Sequence, residues 1–170
     1  MTAPRLVGRA RLFGDDVNTD HIISSTRKRE SLDPQVLRHF LFEGIDPGFA
    51  ATIAPGDMLV AGKNFGCGSA MEVAVTAILG AGIPAVLAQS FSRTYYRNAI
   101  NNGLLPLICD TRRIRAGDTL SVGGGQDMIV RNETTGETLM PETLPPIMLD
   151  ILASGGLVPY MREHGGFVVR

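Results

Sequence analysis

Apolar and polar positions along this chain follow two rhythms. Residues 6–13 mix apolar and basic side chains in a strand-like stretch that ends at the Gly14-Asp15-Asp16 turn. Residues 34–42 have helical spacing instead. Asp33 is a candidate N-cap, Pro34 fills the first helical position, and Val36, Leu37, Phe40 and Leu41 form one apolar face. Segments 58–61 and 85–88 are short and apolar, as buried strands are, and 62–68 is a glycine-containing loop between elements. Helices are predicted over 69–79, with Val73, Ala74, Ala77 and Ile78 on the buried side, and over 92–102, stopped by Gly103. Residues 104–109 return as a strand. This order predicts a βαβ-type core with parallel pairing.

The tail changes character. Short strands at 119–122, 128–131 and 137–140 are separated by Gly123-Gly124-Gly125 and Thr134-Thr135-Gly136, an antiparallel hairpin pattern. Helices at 146–153 and 159–163 close the chain. No internal repeat or linker interrupts the pattern, so one α/β domain over 1–170 is the economical reading.

Composition narrows the function classes. A formal net charge of -1 offers no basic field for nucleic acid. No apolar run approaches the roughly 18–20 residues of a membrane helix, and residues 1–16 lack an apolar signal-peptide core. Cys67 and Cys109 are the only cysteines, too few for a disulfide framework and not spaced for a metal site. The expectation is a cytoplasmic protein that binds neither nucleic acid nor membrane and holds no metal of its own.

Four segments carry polar chemistry. In Gly66-Cys67-Gly68-Ser69, glycines free backbone amides to converge, and Ser69 with Glu72 has capping-box spacing at a predicted helix start, an anion-binding arrangement. A capping serine needs no further role, however, and P-loop spacing is absent. Asn18-Thr19-Asp20-His21 sets an acid beside an imidazole, suited to ligand binding or proton transfer, or to a turn in which Asp20 caps amides. Arg27-Lys28-Arg29, on a predicted loop, can receive a carboxylate or be solvated surface. Arg93 and Arg97 lie one helical turn apart, able to grip a carboxylate or pair with local acids.

Taken in order, these segments resemble a known family. The strings G-D-D-V-N-T-D-H-I-I, P-G-D-M-L-V-A-G-K-N-F-G-C-G-S and Q-S-F-S-R-T-Y-Y-R-N-A-I-N-N-G-L-L-P-L are similar to the small subunits of isopropylmalate isomerase and homoaconitase, and to the swivelling C-terminal domain of aconitase. The terminal G-G-L-V-P-Y-M-R-E-H-G-G-F resembles the small-subunit tail, so the similarity runs from Gly8 to Phe167. The resemblance implies a swivelling β/β/α domain with a short antiparallel extension. It implies a hydro-lyase subunit that removes and re-adds water on a hydroxy di- or tricarboxylic acid, with 3-isopropylmalate first. Homoaconitate, 2-methylmalate and 2,3-dimethylmalate are alternatives, as is a non-catalytic partner subunit. A separate large subunit carries a 4Fe-4S cluster, and this chain closes the active site. An isolated chain would expose its docking face, which leaves self-association open.

Residue by residue, the resemblance makes Ser69 the base that takes the carbon-bound proton, assisted by the helix N-terminus and nearby cations. It places Asp20, His21, Gly68 and Ala70 along the substrate, and Arg29, with Arg27 and Arg93 as substitutes, on a substrate carboxylate. One departure stands out. The family reads G-S-S-R-E where this chain reads Gly68-Ser69-Ala70-Met71-Glu72. Met71 has no charged donor for a carboxylate. Either another arginine replaces that grip, or the substrate carries an apolar group there, or the subunit has diverged from the usual substrates.

Overall fold

The computed structural model describes residues 5–125 and 127–168. One seven-stranded sheet has the order β4-β3-β2-β1-β5-β6-β7. Strand β1 (Leu6–Leu12) is shared between two halves. Its residues Ala10 to Leu12 pair in parallel with β2 (Met58–Val60), which continues in parallel to β3 (Ala85–Ala88) and β4 (Leu105–Ile108). Its residues Leu6 to Arg9 pair antiparallel with β5 (Thr119–Gly123), followed by β6 (Ile129–Asn132) and β7 (Thr138–Leu139). The predicted parallel core and antiparallel extension are both present.

Strands β2 and β3 are buried throughout because both faces are covered. Leu59, Ala61, Val86 and Ala88 face one core, while Met58, Val60, Ala85 and Leu87 face the other. The first core is closed by α3 (Pro34–Leu37) and α5 (Val73–Gly80). The second is closed by α7 (Pro146–Ala153) and α8 (Leu157–His164). Helix α6 (Arg93–Asn102) serves both, sending Tyr95 and Ala99 to the first and Ile100 to the second.

Three local expectations are corrected. The helix foreseen over 34–42 is only α3 followed by a 3-10 turn, Arg38–Phe40. Phe42 then takes φ 57°, unfavourable for a bulky residue, and is fully buried against Phe13 (4.2 Å between centroids) and Phe49 (5.0 Å). Burial of that ring outweighs continuation of the helix. The cationic loop is instead helix α2 (Ser25–Glu30), where the Ser24 hydroxyl accepts from Thr26 N. Finally, α5 begins four residues after Ser69, and Ser69 forms no capping box. The Ser69 carbonyl is taken by the Thr19 hydroxyl (2.7 Å), so helical bonding starts from Met71 and Glu72, whose carbonyls accept from Ala74, Val75 and Thr76.

Candidate active site

Parallel α/β sheets gather ligand-binding loops at the C-terminal ends of their strands. Here the loop after β1 carries Asn18 to His21, the loop after β2 carries Gly66 to Met71, and the turn after β3 carries Phe91 to Arg93. Hydrogen bonds tie the three together. Phe65 N donates to Ser90 O (3.0 Å), Ser92 N to Phe65 O (3.0 Å), and the Ser92 hydroxyl to Gly66 O (2.8 Å). On the other side Gly66 N donates to Val17 O (2.8 Å) and Thr19 N to Cys67 O (2.9 Å).

Two glycines permit this closeness. At Gly66 (φ 79°) a Cβ would stand 2.1 Å from the Tyr95 ring, and at Gly68 (φ 92°) 2.6 Å from the Asn18 side chain. Both combine a left-handed backbone with no room for a side chain. The Tyr95 hydroxyl donates to Ala74 O (3.0 Å), and burial pushes its phenol pKa far up, so it remains a protonated donor under the loop.

Ser69 emerges from this anchored loop as an exposed residue whose hydroxyl has no hydrogen-bond partner among the described residues. Its backbone is held by Thr19, which is 2% exposed. Asp20 and His21 follow directly on α1 (Thr19–Ile22), and both are exposed. The cap of α1 is Asn18, not Asp20: its Oδ1 accepts from Asp20 N (2.8 Å), while His21 Nδ1 accepts from Asn18 N (3.2 Å). With Nδ1 as the acceptor in that contact, Nε2 is the ring nitrogen left to donate. Asp20 Oδ1 accepts from Ser25 N (3.2 Å), and its other oxygen has no partner among the described residues.

The cations divide sharply. Arg27 is spent: it holds both oxygens of Glu43 (2.9 and 3.1 Å), reaches Glu30 (3.0 Å), and lies 3.9 Å over the Phe40 ring. The Glu43 bonds, then Glu30, raise its pKa further. Arg29 is exposed and has no partner among the described residues. Arg93 lines a different hollow, with Arg97. Gly68 and Ala70 flank Ser69 in the open, whereas Met71 turns inward: it is 4% exposed and packs in the first core. Its thioether is a core group, not a wall of the opening.

Thr19 is the residue that single-sequence reading passes over. Its importance comes from a contact across fifty positions. Of the two cysteines, Cys67 is half-buried in the Gly66 to Met71 loop, and burial with nearby Asp110 pushes the Cys109 thiol up to about 12. Among the described residues no three His, Cys, Asp or Glu side chains are grouped to hold a metal, so these residues do not form a cradle for an iron–sulfur cluster.

Comparison with known proteins places this arrangement. The aconitase C-terminal domain family matches residues 49–112. The small subunit 2 of 3-isopropylmalate dehydratase from Archaeoglobus fulgidus is 47% identical over 95% of this chain and 97% of its own length. The chain belongs to the aconitase-type small subunits. A second relative in this small-subunit family, the methanogen homoaconitase small subunit of Methanocaldococcus jannaschii, is 45% identical over 92% of this chain and 91% of its own. The crystal structure of 3-isopropylmalate dehydratase from the same organism superposes with a TM-score of 0.90 at 42% identity, covering 95% of this chain and 96% of that one. The small-subunit fold thus covers both the parallel core and the antiparallel extension. Among the described residues no helix is long and apolar enough to cross a membrane.

Proposed function

We propose that this chain is the small subunit of a heteromeric hydro-lyase that isomerises 3-isopropylmalate and 2-isopropylmalate in leucine biosynthesis, in the cytoplasm. The observation that carries the reading is the convergence of its three family motifs on one open rim, with the Ser69 hydroxyl unspent. A large subunit bearing a 4Fe-4S cluster faces that rim, and the site is complete only in the complex.

The chain's own contribution is proton handling and orientation. Ser69 Oγ takes the carbon-bound proton as water leaves and returns it when water re-adds. A serine hydroxyl is a weak base in water, and the helix expected to assist it begins only at Val73. Its activation therefore comes from closure: the partner excludes solvent, which strengthens the pull of nearby cations on an alkoxide. Arg29 is the carboxylate-gripping cation of this chain, since Arg27 is held by Glu43 and Glu30 and Arg93 lines the neighbouring hollow. Asp20 and His21 Nε2 line the same opening. Met71 lies in the core, so the carboxylate contact ordinarily made from that position is supplied elsewhere, in this chain by Arg29.

The test is anaerobic reconstitution with the genomically adjacent large subunit and its cluster, followed by alkene absorbance on a panel of substituted malates. Turnover of isopropylmalate requiring both chains is expected. Preference for homoaconitate or 2-methylmalate would reassign the substrate, and a stable, cluster-loaded complex without turnover on the panel would overturn the hydro-lyase reading. Ser69→Ala should lower kcat by about 10²–10⁴-fold with assembly intact. Retained turnover would remove Ser69 as the base.

A further inference from the structure

Beside the Ser69 rim, at the C-terminal ends of β3 and β4, lies an open groove of about 410 Å³ lined by Phe91, Arg93, Tyr96, Arg97 and Ile108. It adjoins the candidate site directly. Phe91 bridges Phe65, and the Ser92 hydroxyl holds Gly66, both in the loop that presents Ser69. The groove has an apolar base, with Phe91 and Tyr96 edge-on at 5.9 Å. Its cations differ from several other arginines of this molecule, which hold carboxylates. Arg9 and Arg11 share Asp57, Arg112 holds Asp110, and Arg113 holds Glu137. Arg93 and Arg97 are exposed, one turn apart, and have no carboxylate partner among the described residues. Burial, then the charge of Glu142, raises the pKa of the Tyr96 phenol at this base.

We propose that this groove is a docking point for the large subunit and receives from it an acidic side chain flanked by an apolar one. The inference rests on the heteromeric reading above and adds where, and through what chemistry, the partner is held. A partner that closes over Ser69 extends next over Phe91 to Arg97. Covering two guanidiniums without carboxylates would leave unpaired charge in a dry interface, at high cost. Carboxylates from the partner convert that cost into paired, fork-shaped hydrogen bonds. The Phe91 and Ile108 surfaces take the adjoining apolar group. An aromatic base ringed by arginine is also the composition in which binding energy concentrates at interfaces.

The experiment titrates purified, cluster-loaded large subunit with the full chain, without oxygen, at low and high salt. Wild type, Arg97→Glu, and the double variant Arg93→Glu/Arg97→Glu are compared, with Arg93→Gln and Arg97→Gln as milder forms should a reversal disturb folding. The expected result is a wild-type Kd that weakens with salt, a loss of about 30-fold or more in Arg97→Glu, and a larger loss in the pair. KM for substrate, measured with the large subunit in saturating excess, should stay at the wild-type value for Arg97→Gln. Unchanged Kd in folded variants would overturn the proposal. A rise in KM without a change in Kd would also overturn it, reassigning the groove to substrate. If wild type itself fails to bind the large subunit, the heteromeric reading falls and this inference with it.

Discussion

The two halves of the sheet share β1 and treat their polar groups in opposite ways. In the antiparallel half, polar side chains satisfy one another. Asn132 donates to Asp118 (2.7 Å), which also accepts from Arg115 N (2.9 Å). Ser121 donates to Glu133 (2.6 Å), and Arg5 reaches both. On the rim of the parallel half the backbone is equally well bonded, but the Ser69 hydroxyl, one Asp20 oxygen and the Arg29 guanidinium have no partner among the described residues. Firmly held backbone carrying unspent side chains is what a half-site needs, because orientation is set before the missing half arrives. On the proposed function, the extension is a scaffold and the rim is a surface that the partner completes. Substitutions should therefore separate, those in the first altering stability and those in the second altering turnover.

Met71 tests the boundary between the two classes with the largest effect. By sequence it belongs to the rim, and restoring the family's arginine would improve the grip on a dicarboxylate. By structure it belongs to the core, at 4% exposure. Met71→Arg should therefore cost about 3–5 kcal/mol, since a guanidinium would be buried among Val73, Ala74 and their neighbours without an acid. Chemical denaturation of the free chain reads this directly. An unchanged midpoint together with new activity on ordinary dicarboxylates would return Met71 to the rim.

That contrast also marks what the sequence discloses. Helix α6 was legible end to end because its signals are local: Ser92 caps Tyr95 N and Gly103 stops the last turn at φ 86°. Helix α7 was legible for a similar reason, with Pro146 at its first position. The start of α5 was not, because the Thr19 hydroxyl removes the Ser69 carbonyl from helix formation across a long loop. Nor was the break after Arg38–Phe40, which depends on Phe42 reaching Phe13 and Phe49. At the site the motifs were readable singly, and the resemblance supplied their roles. Their meeting on one rim depends on the strand order, which no local pattern encodes. The sorting of Arg27 from Arg29 depends on Glu43, which a residue count cannot place.

Within the scaffold, Asn132→Ala should cost about 2 kcal/mol and leave turnover of the assembled enzyme unchanged. Asn132 is 1% exposed, and its carbonyl oxygen also accepts from Thr134 N and Thr135 N. The effect has a pH signature. The Arg115 amide, then the Asn132 side chain, hold the Asp118 carboxyl below its usual range. A lowered folded pKa gives stability that is present above the unfolded value of about 4 and is lost as pH falls through the folded value. Removing Asn132 should therefore flatten the acid loss of stability below about pH 4. Equal slopes in the two proteins would assign that loss to other carboxylates.

Thr19 gives the smallest effect and the sharpest one, because it is buried like the scaffold but serves the rim. Its hydroxyl donates to Ser69 O, and its backbone amide donates to Cys67 O, so one residue fixes the loop on both sides of Gly68. Thr19→Val keeps the shape and removes one donor. The Ser69 carbonyl can turn to water, which limits the cost in stability, but the Ser69 hydroxyl then loses its fixed direction. The expected outcome is a fall of about tenfold in kcat with little change in KM, as for an interaction that matters mainly in the transition state. Thr19→Ser, which retains the donor and loses only a methyl group, should recover most of the rate. If Thr19→Val and Thr19→Ser lose rate equally, the methyl packing matters and the hydrogen bond does not. If neither loses rate, the Ser69 loop is set by its glycines and the Ser92 contact alone.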